Sequence, residues 1–153
     1  MKHLLLLIAL SCCFSCARPT ATPSINIISR EAQGLLHLEC DGKGNNRPVA
    51  ETDAKVSVLN RLLYDGIPDA GVSAVRLPMV EDGSKLSSQQ RSEVNKLLQG
   101  DALNRYFTEV AWVSQSSTAA VGGGALQRFR LKVNYDLFRR DLESHGIVRK
   151  FGM

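Results

Sequence analysis

"RFRLKVNY", residues 128–135, alternates without a break: Phe129, Leu131, Val133 and Tyr135 point one way, and Arg128, Arg130, Lys132 and Asn134 point the other. Side chains on a strand alternate between faces, so this stretch is an amphipathic strand with one apolar and one solvated face. A strand wet on one side fits a sheet covered on one side only, which argues against a doubly wound parallel sheet buried on both. Upstream, residues 109–114 read as a second strand, joined to the first across "SSTAAVGGG", residues 116–124. The simplest connection is an antiparallel hairpin.

Working outward, "LLHLEC", residues 35–40, is a strand with Leu36, Leu38 and Cys40 on one face and Leu35, His37 and Glu39 on the other. "DGKGNN", residues 41–46, is expected to break it, since Gly42 and Gly44 allow backbone turns that other residues resist. Residues 48–64 carry Ala50, Ala54, Val58 and Leu62 at four-residue spacing, with Leu59 and Leu63 widening the stripe. This predicts a helix with a core-facing band and an exposed Glu51–Lys55 pair, stopped by Asp65-Gly66 and Pro68. "VSAVRLPMV", residues 72–80, reads as an edge strand because of Pro78. Ser87 or Ser88 caps a helix running to about Gln99 and closed by Gly100, and a short helical segment follows near Ala102–Phe107. A last helix, Asp136 to His145, turns Leu137, Phe138 and Leu142 inward and ends at Gly146, with Ile147 folding back on Leu142. The fold class expected is α+β: a mainly antiparallel sheet with about three helices packed on one face.

The N-terminus carries an address. "LLLLIALSCCFSCARP", residues 4–19, follows Lys2 with an apolar run and then small residues, the layout of an export leader. A spanning helix needs about 20 apolar residues, and this run is too short. Ser15-Cys16-Ala17 permits cleavage before Arg18. "CFSC" is also similar to a loose bacterial lipobox, which makes Cys16 the lipidation residue and the membrane the first partner, through an N-terminal lipid anchor. Residues 1–16 are then the leader, 17–24 ("ARPTATPS") a tether, and 25–153 a single α+β domain exported to the periplasm or outer membrane. Three of the four cysteines lie in the leader, so the domain is expected to hold together without a disulfide framework. The formal net charge of +4 falls to +3 once Lys2 leaves with the leader, too little to point to nucleic acid.

Chemistry is sparse. His37 and Cys40 are three residues apart on one strand and therefore face opposite ways, so they cannot form a nucleophile–base pair locally. Cys40 reads as a small buried hydrophobe and His145 as a helix-end residue. His37, Cys40 and His145 lack zinc-site spacing, and no Asp-rich calcium loop is present. "GKG", residues 42–44, suggests a phosphate loop but lacks the full glycine spacing and the Ser/Thr after the lysine, so a tight turn is the better reading. No cofactor is called for. The surface feature that stands out is the row Arg128, Arg130 and Lys132, spaced about 6.6 Å apart on one solvent face. Arg139, Arg140, Arg149 and Lys150 add charge nearby in sequence. The row offers a docking surface for an anionic envelope polymer, a lipid headgroup or an acidic envelope protein. Its plainer use is to guard a sheet edge against aggregation.

"LECDGKGNNRPVAETDAKVSVLNRLLYDGI", residues 38–67, resembles small outer-membrane lipoproteins and the N-terminal domain of flagellar assembly protein T. "LFRRDLESHGIVRKFGM", residues 137–153, is similar to the ending of uncharacterised envelope lipoproteins. The resemblance implies a non-enzymatic accessory role in binding or assembly. Two other readings remain open: a small hydrolase-like enzyme assembled from distant residues such as His37 or His145, and a basic adaptor for an anionic glycan or lipid.

Overall fold

The computed structural model describes residues 23–30, 34–67, 77–119 and 124–149. Four strands, β1 (Ile25–Arg30), β2 (Leu35–Gly44), β3 (Phe107–Ala119) and β4 (Ala125–Asn134), form one sheet in the order β1-β2-β4-β3. Every neighbouring pair is antiparallel. Among the described residues four α-helices accompany it: α1 (Arg47–Asn60), α2 (Ser88–Leu97), α3 (Gly100–Asn104) and α4 (Tyr135–Ser144). The apolar alternation of β2 and β4 decides the layering. Leu36, Leu38 and Cys40 share one buried cluster with Phe129, Leu131 and Val133, and the apolar side chains of the helices complete it. The helices therefore cover one face, and the α+β class read from the sequence is the observed one.

Several boundaries differ from expectation, each for a local reason. β2 does not break at Asp41 but continues through Gly42 and Gly44. A Cβ on Gly42 would lie 1.9 Å from the Ala50 carbonyl oxygen, and one on Gly44 would lie 2.5 Å from the Ala50 nitrogen. These glycines are bare strand positions on which α1 rests, and the turn begins only at Asn45. β4 ends at Asn134, whose Oδ1 accepts from the Leu137 amide at 2.9 Å and caps α4. Tyr135 is thus the first residue of α4 rather than the last of the strand. β1 was not foreseen; Ile25 and Ile27 enter the core, with the register shifting between Ile27 and Ser29.

In α1, Asn46 caps the first turn by accepting from the Val49 amide at 3.0 Å, and Ala50, Ala54, Val58 and Leu59 are buried as their spacing predicts. The final turn, Arg61–Asp65, widens into a π-helical turn that Gly66 closes with φ of 77°. The Leu62 and Leu63 carbonyls accept from the Met79 amide at 3.1 Å and the Val80 amide at 2.9 Å. Residues 77–80 therefore dock on the helix end and are not strand, which corrects the expected strand for that part; residues 72–76 lie outside the described residues. Glu51 and Lys55 do pair, at 2.8 Å, but not in solvent. Lys55 is only 8% exposed, and its Nζ also donates to Asn104 Oδ1 at 2.9 Å and lies 5.8 Å from the centre of the Phe107 ring. Ser87 caps α2 in a reciprocal box with Gln90, and Ile147 donates back to the Leu142 carbonyl at 2.9 Å.

Candidate functional site: the open face of the sheet

Strand alternation sends the even–odd partners of the core residues to the uncovered face. β2 contributes His37, Glu39 and Asp41, β4 contributes Arg128, Arg130 and Lys132, and β3 contributes Glu109 and Ala111. Register brings opposite charges face to face: Asp41 opposes Arg128 and Glu39 opposes Arg130 across β2–β4, and Glu109 opposes Lys132 across β3–β4. Arg128 Nε lies 2.9 Å from Asp41 Oδ1, and Arg130 Nε lies 3.2 Å from Glu39 Oε2. Glu39 also stands 3.7 Å from Arg128 Nη1, and Lys132 Nζ is 3.5 Å from Glu109 Oε1.

The expected basic row therefore exists as placed, but each of its three cations meets a carboxylate on an adjacent strand. The face is a band of positive charge flanked by negative bands rather than a cationic strip. β4 also lies inside the sheet, paired on both sides. Its charges cannot serve as an edge guard, and that reading is corrected. Glu39 and Asp41 are the residues sequence reasoning passed over. The signal was present, since they stand two apart between Leu38 and Cys40 with the sign opposite to that of the β4 row. Their meeting across 87 to 91 residues was not readable before the strands were paired.

Asp41 anchors this network. Burial alone works against its charge, yet hydrogen bonds from Arg128 and from Ser24 outweigh it and hold the carboxyl below the ordinary carboxylate value. Ser24 Oγ donates to Asp41 Oδ2 at 2.6 Å, and the Asp41 amide donates to the Ser24 carbonyl at 2.9 Å. The last residue of the expected tether is therefore fastened to the sheet. Further along, a shallow depression of about 510 Å³ lies over the strands, lined by Ile28, His37, Glu39, Glu109, Arg130 and Lys132 among others. Ile28 is 51% exposed there, and Leu38, Ala111 and Leu131 add apolar lining beside the charged side chains.

The other candidates resolve as follows. Cys40 faces the core, opposite His37, and its thiol is pushed up to about 12 by burial and then by the Asp41, Glu39 and Asp53 charges. A thiol so held is protonated at neutral pH and is no nucleophile. The phosphate-loop reading of residues 42–44 fails, because the Lys43 amide donates to Asp53 Oδ2 at 2.7 Å and a carboxylate occupies the place of an anion. His145 closes the end of α4 and stands with Nδ1 3.9 Å from Glu93 Oε2, in a depression of about 600 Å³ also lined by Ser87 and Ser144. That distance is beyond a hydrogen bond, and Glu93 already accepts from Lys96 Nζ at 2.8 Å. Ser144 Oγ donates to the Asp141 carbonyl at 2.8 Å, while Ser87 Oγ serves as the α2 cap. Among the described residues no group of three or more His, Cys, Asp or Glu is placed to hold a metal ion, and no helix is long and apolar enough to cross a membrane. Cys16 and Lys150 lie outside the described residues.

Compared with protein-family models, curated proteins and solved structures, the chain matches none.

Proposed function

We propose that this chain is an exported, lipid-anchored accessory protein of a bacterial cell envelope, acting by binding rather than catalysis, with the open sheet face as its partner surface. The leader, with Cys16 behind a short apolar run, and the resemblance of residues 38–67 to small envelope lipoproteins support the address. The observation that carries the binding reading is the one-sided layering. Among the described residues no helix covers the second face of the four-stranded sheet, which carries interleaved charges around the exposed Ile28.

That pattern also refines the partner. A polyanion is favoured by unopposed cations, whereas here three cations stand against three carboxylates, Glu39, Asp41 and Glu109. Mixed charge selects orientation and rejects wrong partners more than it adds affinity, which suits a protein surface of complementary alternating charge. The anionic polymer or lipid headgroup becomes the second choice. Capture of crosslinked partners from native membranes tests the reading, using the charge exchange Glu39→Arg with Arg130→Glu. The exchange keeps the 39–130 pair and reverses its polarity towards a partner, at the loss of the contact between Glu39 and Arg128. Loss of capture with a stability cost of no more than about 1 kcal/mol is the expected result; capture equal to that of the parent overturns the surface assignment. Cys16→Ala tests the anchor: the acyl mass at the N-terminus and membrane attachment should both disappear.

A second, hydrolytic reading has only the shared depression of His145, Glu93 and Ser144 behind it, since His145 and Glu93 stand 3.9 Å apart and the Ser144 hydroxyl donates to the Asp141 carbonyl. It is tested by ester and amide turnover in the parent and in His145→Ala; turnover abolished by that substitution would establish it.

A further inference from the structure

We propose that β3 carries a second interaction surface, its outer edge, which pairs antiparallel with the same strand of a second copy about a two-fold axis through Ala111. Sheet edges are ordinarily blunted by lysine, proline, brevity or bulges, and the bulges of β3 leave a short regular run open. β1, at one edge, is six residues long. β3, at the other, runs for 13 residues with no Lys, Arg or Pro, and its single charge, Glu109, is engaged by Lys132. Among the described residues no strand pairs with its outer side. In the middle stands Trp112, on the helix-covered side opposite the fully buried Phe129 yet itself 44% exposed.

The register follows from geometry and charge. Register shifts between Phe107 and Glu109, between Trp112 and Ser114 and between Gln115 and Ala119 leave Glu109–Trp112 as the longest regular run. To keep one sheet with both helix layers on the same side, opposed residues must share a face, so the axis passes through a residue and not between two. An axis at Val110 would set the two Glu109 carboxylates about 8 Å apart, two positions along and one strand across. That is about one screening length, at which the repulsion is only partly screened. An axis at Ala111 separates them by about 14 Å and puts the smallest side chain of the run where the copies come closest. Val110 and Trp112 of each copy then oppose Trp112 and Val110 of the other, an aromatic against a β-branched residue on each side of the axis. The same surface meets itself, as a closed two-fold interface requires, and an eight-stranded sheet results. The regular run is short, so the pairing is weak in solution and gains from co-localisation of copies on one membrane.

Two measurements test this on the full chain. Trp112 is the only tryptophan, so its emission reports the edge directly. On raising the concentration of detergent-solubilised parent protein, emission should shift to the blue and acrylamide quenching should fall several-fold, in step with a sedimenting dimer. In native membranes under mild oxidation, Ala111→Cys should form a disulfide-linked dimer and Ile28→Cys, exposed on the open face at β1, should not. Adding Trp112→Lys to Ala111→Cys should reduce the dimer at least tenfold. A chain that sediments as a monomer with concentration-independent emission, or equal crosslinking from Ala111→Cys and Ile28→Cys, overturns the proposal.

Discussion

Replacing Gly42 by Ala is expected to be the most damaging single-methyl change in the sheet. The added Cβ would sit 1.9 Å from the Ala50 carbonyl oxygen and 2.8 Å from the Ala54 Cβ. Ordinary contact begins near 3.4 Å, so α1 must withdraw by 3.4 − 1.9, or about 1.5 Å, at this point. The obstacle is backbone, so no rotamer change relieves it. Withdrawal also loosens Ala54, Val58 and Leu59, all fully buried against the sheet. Overpacking commonly costs about 1–3 kcal/mol, and a rigid backbone obstacle belongs at or beyond the upper end. For a domain of this size about 3 kcal/mol lowers Tm by roughly 10 °C. Gly146→Ala is the control, since its φ of 64° makes alanine unfavourable while nothing lies within 4 Å. It should cost only about 1 kcal/mol, the strain of a left-handed residue. Thermal unfolding followed by far-ultraviolet circular dichroism ranks the two, with Gly44→Ala between them. Ala54→Gly should fail to rescue Gly42→Ala, because it leaves the Ala50 carbonyl in place. If Gly42→Ala proved as mild as Gly146→Ala, the close seating of α1 on β2 would be refuted.

Asp41→Asn should cost about 1–3 kcal/mol at pH 7, the worth of hydrogen bonds to a buried charge. Because the folded carboxyl titrates below its ordinary value, the parent keeps this contribution above about pH 4 and loses it as pH falls through the folded value. The stability gap between parent and variant, read from denaturant melts, should therefore close in acid. Lys55→Ala should lower stability by about 1–2 kcal/mol by leaving Asn104 and the half-buried Glu51 without their cation, whereas Lys55→Met, which keeps the stem, should cost less. Tyr106 donates to Asp141 Oδ2 at 2.7 Å, and burial together with that bond pushes its phenol up to about 12. In an absorbance titration at 295 nm the phenolate step near pH 12 should vanish in Tyr106→Phe, at a stability cost of about 1 kcal/mol.

The sequence by itself determined the elements whose signals are local. Strict alternation in residues 128–134 defined β4 and its two faces, four-residue spacing from Ala50 to Leu62 defined α1, and Ser87 and Gly146 marked helix limits, whereas Gly100, expected to close α2, opens α3. Antiparallel pairing of β3 with β4 followed from the connecting loop. Parity alone separated His37 from Cys40. What required the tertiary structure was everything set by which strand lies beside which. Gly42 and Gly44 carry the same letters in a turn as in a strand pressed by a helix, and only the approach of Ala50 distinguishes the two. Arg128, Arg130 and Lys132 formed a cationic row in one dimension, and strand order turned it into a ladder of pairs by bringing Asp41, Glu39 and Glu109 alongside. Trp112 is an exposed edge residue because β3 lies last in the sheet. Periodicity records the face a side chain takes within its own element, while neighbours distant in sequence decide whether that face is covered, paired or left open.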